Sequence, residues 1–367
     1  MPNEPVSNAD METYLGMIDG RPSKARAIVL NRNGIKQRYY ALDKHGNVTH
    51  TNVQMAANAI RGLMDESLSV DDIDLIACGT ASPEQLMPSH GCMVHGELGG
   101  SRNTEVVSFA GSCCTGVQAL KYACMAVQLD PEKKAVASAS ERLSAWMRAS
   151  YFQQESECLS QLEKQPMLAF EKEFLRWMLS DGAYALLVEG KPAPERLSLR
   201  VDWIEITSFA NTKETCMYAG GEKDADGSVR GWTLFPESEW LSQSLFALKQ
   251  DTRMLSEHIV PLGIDFLLQL GEKHQFTPDD IDWFLPHLSS MFFKEKILSE
   301  SRQRGFFFPE EKWFVNLPYV GNIASASAFA MIEELLGAGS LKRGQRILMM
   351  IPESARFSYC YCHLTVC

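Results

Sequence analysis

The sequence contains no run of about 18 consecutive apolar residues, so nothing in it reads as a membrane-spanning helix. It has no excess of basic residues: 46 Asp and Glu stand against 35 Lys and Arg, a net charge of −11. A phosphate-binding surface wants the opposite balance, which argues against nucleic acid as a partner. The first residues, Met1-Pro2-Asn3-Glu4-Pro5, offer neither a basic n-region nor an apolar h-region. No signal peptide is expected, and the protein is expected in the cytoplasm. The ten cysteines (78, 92, 113, 114, 124, 158, 216, 360, 362 and 367) follow no regular spacing. In a long chain without a secretion signal they read as reduced thiols, not a disulfide framework. No Gly-Lys-Ser/Thr follows the glycine-rich Gly96-Glu97-Leu98-Gly99-Gly100, so that stretch is not a phosphate loop. Cys360-x-Cys362-His363 with Cys367 lacks the paired two-residue gaps of a structural zinc site. The alternation in Tyr359-Cys360-Tyr361-Cys362 reads as a final strand, and no metal or other cofactor is expected.

What is present is ordinary globular composition, 45% hydrophobic and 22% charged. At 367 residues the chain exceeds what one core usually holds, so two lobes or a duplicated unit are expected. Short apolar runs at Asp74–Thr80, Thr104–Phe109, Ala135–Ala139 and Ala183–Val188 read as strands of an α/β protein with mainly parallel pairing. Cys114–Val127 is apolar on nearly every face, which marks a buried helix. The second half repeats the first. Val70-Asp71-Asp72-Ile73-Asp74 corresponds to Pro278-Asp279-Asp280-Ile281-Asp282. Cys114 lies 43 residues after Asp71, and Asn322 lies 43 residues after Asp279, each opening a segment of small residues. A basic turn and a strand follow in both halves, at Lys133-Lys134 and at Lys342-Arg343. A common offset with a common order of elements implies duplication. The halves, 1–190 and 191–367, divide at Gly190-Lys191-Pro192-Ala193-Pro194. Two stretches fall outside the repeat. Ser144–Leu179 is aromatic-rich with helical spacing at Phe170, Phe174, Trp177 and Met178, and Ala219–Gly231 reads as a solvated Gly- and Asp-rich loop.

Three residues at matching or adjacent points of the halves form a set suited to acyl transfer. Cys114 opens its helix in Ser112-Cys113-Cys114-Thr115-Gly116, where amides and the helix dipole are expected to lower a thiol pKa. Gly116 leaves room beside the sulfur. His287 follows a buried strand end in Leu285-Pro286-His287, and Asn322 follows Gly321. A thiol nucleophile, an imidazole and an amide donor together serve nucleophilic and electrostatic catalysis. Singly, each residue type is more often structural. Their placement on a duplicated frame gives them weight.

In order, Asn33-Gly34-Ile35-Lys36-Gln37-Arg38, Pro88-Ser89-His90-Gly91-Cys92, Cys114-Thr115-Gly116, Ser180-Asp181-Gly182-Ala183, Trp283-Phe284-Leu285-Pro286-His287, Gly321–Ser327 and Lys342-Arg343-Gly344-Gln345 span nearly the whole chain. In these segments the chain resembles the ketosynthase III-like condensing enzymes of the thiolase superfamily (β-ketoacyl-ACP synthase III). The resemblance implies a thiolase fold, a duplicated five-layered α-β-α-β-α architecture, and a homodimer. Cys114 is then the acyl-accepting nucleophile, which the Cys-x-Gly spacing selects over Cys113. His287 and Asn322 are the pair that activates the second substrate. The backbone amides of Cys114 and Ala355 are the oxyanion hole, with Ala355 standing where the family carries glycine. Met87 is expected in the partner's acyl pocket. Arg32, Lys294 and Lys296 are expected to bind an acyl carrier protein or coenzyme A, with Ile28 in place of a stacking Trp. Leu288 and Ser290 replace a Gln and an Asn of the plain ketosynthases. The family begins with a central strand that Met1-Pro2-Asn3-Glu4-Pro5 does not supply; either the start is misassigned, the favoured expectation, or an internal element fills the slot. Pro352–Ser358, Pro286–Ser290 and Phe246–Asp251 look most like the dialkylresorcinol and aryl-polyene subgroup. That likeness implies the joining of two acyl thioesters in fatty-acid or secondary-metabolite biosynthesis. The alternatives are a thiolase-fold acyltransferase making esters or amides, and a non-catalytic ketosynthase partner subunit. The intact trio disfavours the first and the retained cysteine the second.

Overall fold

The computed structural model describes residues 1–100, 102–150, 175–243 and 245–367. Phe170, Phe174 and Cys158 lie outside the described residues.

The strands that position the site are β1 (Leu75–Thr80), β2 (Glu105–Ala110), β3 (Ala135–Glu141), β4 (Gly182–Val188), β5 (Leu199–Ser208), β6 (Trp283–Pro286), β7 (Arg346–Glu353) and β8 (Ser358–Val366). The helices are α1 (Lys24–Asn33), α2 (Asn52–Arg61), α3 (His90–Leu98), α4 (Thr115–Leu129), α5 (Thr252–His274), α6 (Phe292–Gln303) and α7 (Ser327–Gly337). Two four-stranded sheets carry the architecture, in the orders β2-β1-β3-β4 and β6-β7-β8-β5. Every residue of β1 and β3 is buried, as expected for strands covered on both faces. Helices α4 and α7 contact each other and lie between the sheets. Helices α2 and α3 cover the outer face of the first sheet, closing a satellite cluster of Val53, Ile60, Ile76, Val94 and Val136. Helices α5 and α6 pack on each other beside the second sheet. The layers are those of a thiolase fold.

The halves share details that the sequence repeat anticipates. Ser69 with Asp72, and Thr277 with Asp280, form matching capping boxes. Asp74 Oδ2 then accepts from the Lys134 amide at 2.8 Å, and Asp282 Oδ2 accepts from the Arg346 amide at 2.8 Å. Each carboxylate ties a strand start to the strand beside it.

The pairing corrects one expectation. β1 runs parallel to β2 and β3, and β6 parallel to β7, but β3/β4, β7/β8 and β8/β5 are antiparallel. The crossover helices α3 and α4 permit the parallel pairs. In the second sheet the antiparallel pair closes with a turn at 354–357; in the first, residues 142–181 stand at the corresponding place. A second correction concerns Ala219–Gly231, which holds a hairpin pairing Gly221–Lys223 with Val229–Gly231.

Candidate active site

The parallel strands deliver their carboxyl ends to one region, where α/β proteins place their ligands. β1 leads to Ala81, β2 to the turn Gly111–Cys113, β6 to His287, and β7 to the turn carrying Ala355. A cavity of 310 Å³ opens there. Cys113, His287, Asn322 and Ala355 line it, and most of the remaining wall is aliphatic, including Leu179, Ile259 and Ile297. Residues from both halves thus meet in one mostly apolar chamber, which suits an acyl chain.

The close packing behind it depends on two glycines. A Cβ on Gly79 would lie 2.4 Å from the Thr115 carbonyl carbon, and one on Gly116 would lie 2.4 Å from the Ser325 carbonyl oxygen. These approaches let α4 sit against β1 and against the segment leading into α7. The room at Gly116 is thus filled by protein backbone, which corrects the expectation of substrate space there.

His287 extends the β6/β7 ladder by donating its amide to Met350 O at 2.8 Å. Burial lowers its imidazole pKa to about 4, so the ring is neutral near pH 7. Asn322 is fixed by its backbone, which donates to Met178 O at 3.1 Å and accepts from the Ser180 amide at 2.9 Å. Its Oδ1 accepts from the Ala324 amide at 2.9 Å, orienting the side-chain amide. Gly321, at φ 76°, makes the turn that Asn322 follows. A Cβ there would meet the Ser180 Cβ at 2.7 Å.

The cysteines differ from expectation. Cys114 caps α4, yet it is wholly buried, and it is Cys113 that borders the cavity. The Cys114 Sγ donates to Ile351 O at 3.5 Å. Its pKa is pushed well up, first by burial, then by a hydrogen bond with Cys360 and by the charges of Cys360 and Glu353. The helix-end effect, about 0.3–1 kcal/mol at ordinary sites, is too small to offset such desolvation. The expected lowering of this thiol's pKa is therefore corrected. Cys113 is likewise pushed up to about 12, chiefly by burial.

Two carboxyls that close strands, buried Glu141 and half-buried Glu353, were not singled out in the sequence. Glu141, ending β3, accepts from Ser82 Oγ at 2.6 Å, Ser325 Oγ at 2.5 Å and the Ala81 amide at 3.0 Å, and so joins the two halves beneath the cavity. Glu353, ending β7, accepts from the Cys114 amide at 3.1 Å. The available signal was an acidic residue closing a mostly apolar strand.

The remaining candidates stand apart from the cavity. Met87 is 85% exposed. Arg32 is exposed in the last turn of α1, near exposed Ile28. Lys294 pairs with Glu310 at 2.8 Å, and Lys296 donates to Ser256 Oγ at 2.5 Å. Both lysines already have partners within the chain, so neither is the free cation the carrier-binding expectation pictured. On β8, Cys360 lies beside Cys114, while His363 bonds Asp202 at 2.8 Å. Among the described residues no helix is long and apolar enough to cross a membrane.

Residues 272–351, which include His287 and Asn322, match the family profile "3-Oxoacyl-[acyl-carrier-protein (ACP)] synthase III C terminal". A β-ketoacyl-[acyl-carrier-protein] synthase III from Chlorobaculum tepidum is 23% identical over 352 residues, covering 95% of this chain and 92% of the relative. One from Syntrophomonas wolfei is 26% identical over 358 residues, covering 95% and 90%. Among solved structures, AbyA1, described as a tetronic acid condensing enzyme, superposes with a TM-score of 0.75 at 20% identity, covering 100% of this chain and 97% of its own. OleA from Xanthomonas campestris, solved with bound lauric acid and lauroyl-CoA, gives 0.73 at 17% identity, covering 99% and 95%. Over nearly its whole length the chain is thus similar to β-ketoacyl-[acyl-carrier-protein] synthase III proteins, and it shares the fold of these solved condensing-enzyme structures.

Proposed function

We propose that this protein is an acyltransferase-class condensing enzyme that forms a carbon–carbon bond between two acyl thioesters. The observation that carries the reading is the convergence of Cys113, which adjoins Cys114, with His287 and Asn322 on one aliphatic cavity. Cys114 gives up its proton and its thiolate attacks the first thioester carbonyl, forming an acyl–sulfur bond and expelling the carrier sulfur, which takes up that proton. The oxyanion that forms is held by the backbone amides of Cys114 and Ala355. The second substrate, β-ketoacyl or malonyl-type, presents its thioester carbonyl to the neutral His287 ring and the Asn322 amide. These stabilise the enolate produced by loss of carbon dioxide or of a proton. The enolate carbon attacks the acyl group and the Cys114 thiolate leaves. Because burial raises the Cys114 pKa, this reading has the thiol give up its proton only once the acyl donor is bound.

Carrier-protein or coenzyme A thioesters are the partners of this reading, with exposed Arg32 a cation to meet them. The chain acts in the cytoplasm as a homodimer, with exposed Met87 entering the partner's pocket. Motif likeness and the aliphatic cavity favour fatty-acid-derived substrates of the dialkylresorcinol type. The test is incubation with two acyl thioesters and mass spectrometry of the products. A condensed β-keto or cyclic product that is lost in His287→Ala and in Asn322→Ala supports the reading. Ester or amide formation that survives both substitutions refutes it.

A further inference from the structure

Glu353 has no role in the chemistry set out above, yet it stands at the centre of it. Its side chain is half-buried, which raises its carboxyl pKa above the usual range, and among the described residues it makes no ion pair. A buried carboxylate without a cation is costly unless its oxygens are hydrogen-bonded. Here the bonds come from the Cys114 amide at 3.1 Å and from the Ser112 amide. These are the N–H groups of the turn into α4, which favour an anion.

Among the described residues, the titratable groups that bear most on the Cys114 thiol are acids. Cys113 adjoins it on the same turn, Glu353 faces it from β7, and Cys360 and Tyr359 face it from β8. Glu141 bears on Cys113 from β3, and His287, the imidazole on the same cavity, is neutral. No cation of the kind that activates reactive cysteines lies among them. The cavity wall beside them consists of Ser112, Cys113, Pro352 and Ser354, so Glu353 and the Cys114 sulfur both sit behind it.

We propose that Glu353 is a positioning residue that keeps the nucleophile closed: its carboxylate occupies the amide that the substrate's oxyanion needs and adds a negative charge against the Cys114 sulfur until an acyl donor displaces it. This rests on the reading of Cys114 as the acyl acceptor. One amide cannot serve the carboxylate and a thioester oxyanion at once, and two negative charges against it repel. Displacement frees the donor and removes the charge that opposes the thiolate. The protein would thus resist non-productive modification of its cysteine when no substrate is bound.

The test uses the full chain in a Cys113→Ala background, with iodoacetamide alkylation of Cys114 followed by peptide mapping across pH. Glu353→Gln retains an oxygen that can accept from the amide but removes the charge, Glu353→Ala removes both, and Glu353→Asp restores the charge. We expect Gln and Ala to lower the pH midpoint of alkylation and to speed it about tenfold or more near neutral pH, with Asp close to the parent. A midpoint that stays put in Glu353→Gln and Glu353→Ala overturns the proposal. Alkylation needs no acyl substrate, so this result is independent of whether Cys114 accepts acyl groups. Should acylation occur on Cys114 while Glu353 has no effect, only the role of Glu353 falls.

Discussion

Gly116→Ala tests the packing on which the site is built. The added methyl carbon would stand 2.4 Å from the Ser325 carbonyl oxygen and 2.9 Å from the Ala139 Cβ. The first is backbone, in a segment held to β3 by the 2.5 Å bond from Ser325 Oγ to Glu141. The clash therefore cannot be relieved by rotating a side chain. Overpacking of this kind costs about 1–3 kcal/mol. Replacing glycine by alanine inside a helix returns about 0.8–1 kcal/mol of propensity. The balance is a loss of about 0–2 kcal/mol, the upper part of that range being expected because backbone is the obstacle. A shift of Ser325 also moves Asn322, three residues earlier, so condensed product should fall more than stability does. Gly337→Ala is the control: nothing lies within 4 Å of its would-be Cβ, and it ends α7 on the surface. There the change should stabilise by a few tenths to about 1 kcal/mol. Urea unfolding of the two variants beside the parent measures both. If Gly116→Ala is as stable as Gly337→Ala and as active as the parent, the close contact between α4 and the Ser325 segment is not what aligns the site.

Two further predictions concern pH. Burial raises Asp181 to about 6, so the folded protein holds its proton above the ordinary carboxylate range. The stability linked to that proton is complete below about pH 4 and is lost as pH rises towards about 6, a change of about 1–3 kcal/mol. Asp181→Asn, although less stable overall because Asn cannot accept all of the bonds from Ala41 and Ser144, should lack this decline when unfolding is followed between those values. The His287 ring, lowered to about 4 by burial, should remain neutral down to about pH 5 in an NMR titration assigned with His287→Gln. A midpoint near 6.5 would place it in water and remove the neutral-imidazole role.

The sequence carried the frame well because duplication leaves local marks. The acidic turns at 70–74 and 278–282, the offset to Cys114 and Asn322, and the all-apolar start of α4 are each visible without tertiary structure. Strand direction was less legible: β4 and β8 are apolar enough to suit either pairing, so the antiparallel edges had no local signature. The convergence of His287 and Asn322 follows from the repeat. The state of Cys114 does not, because it depends on Ile351, Glu353 and Cys360, more than 230 residues away. The partners of the α6 lysines were likewise out of sight. Their helical spacing suggested a basic face, whereas Glu310 and Ser256, on other segments, engage them. Spacing reveals which face a side chain occupies and leaves out what meets it there.

The central claim is that Cys114 carries the acyl group. The direct measurement is intact-protein mass after exposure to a single acyl thioester, with the modified residue located by peptide mapping. One added acyl group on Cys114 is expected, absent in Cys114→Ala and retained in Cys113→Ala and His287→Ala. An acyl group found on Cys113, the thiol that borders the cavity, or surviving in Cys114→Ala would contradict the account.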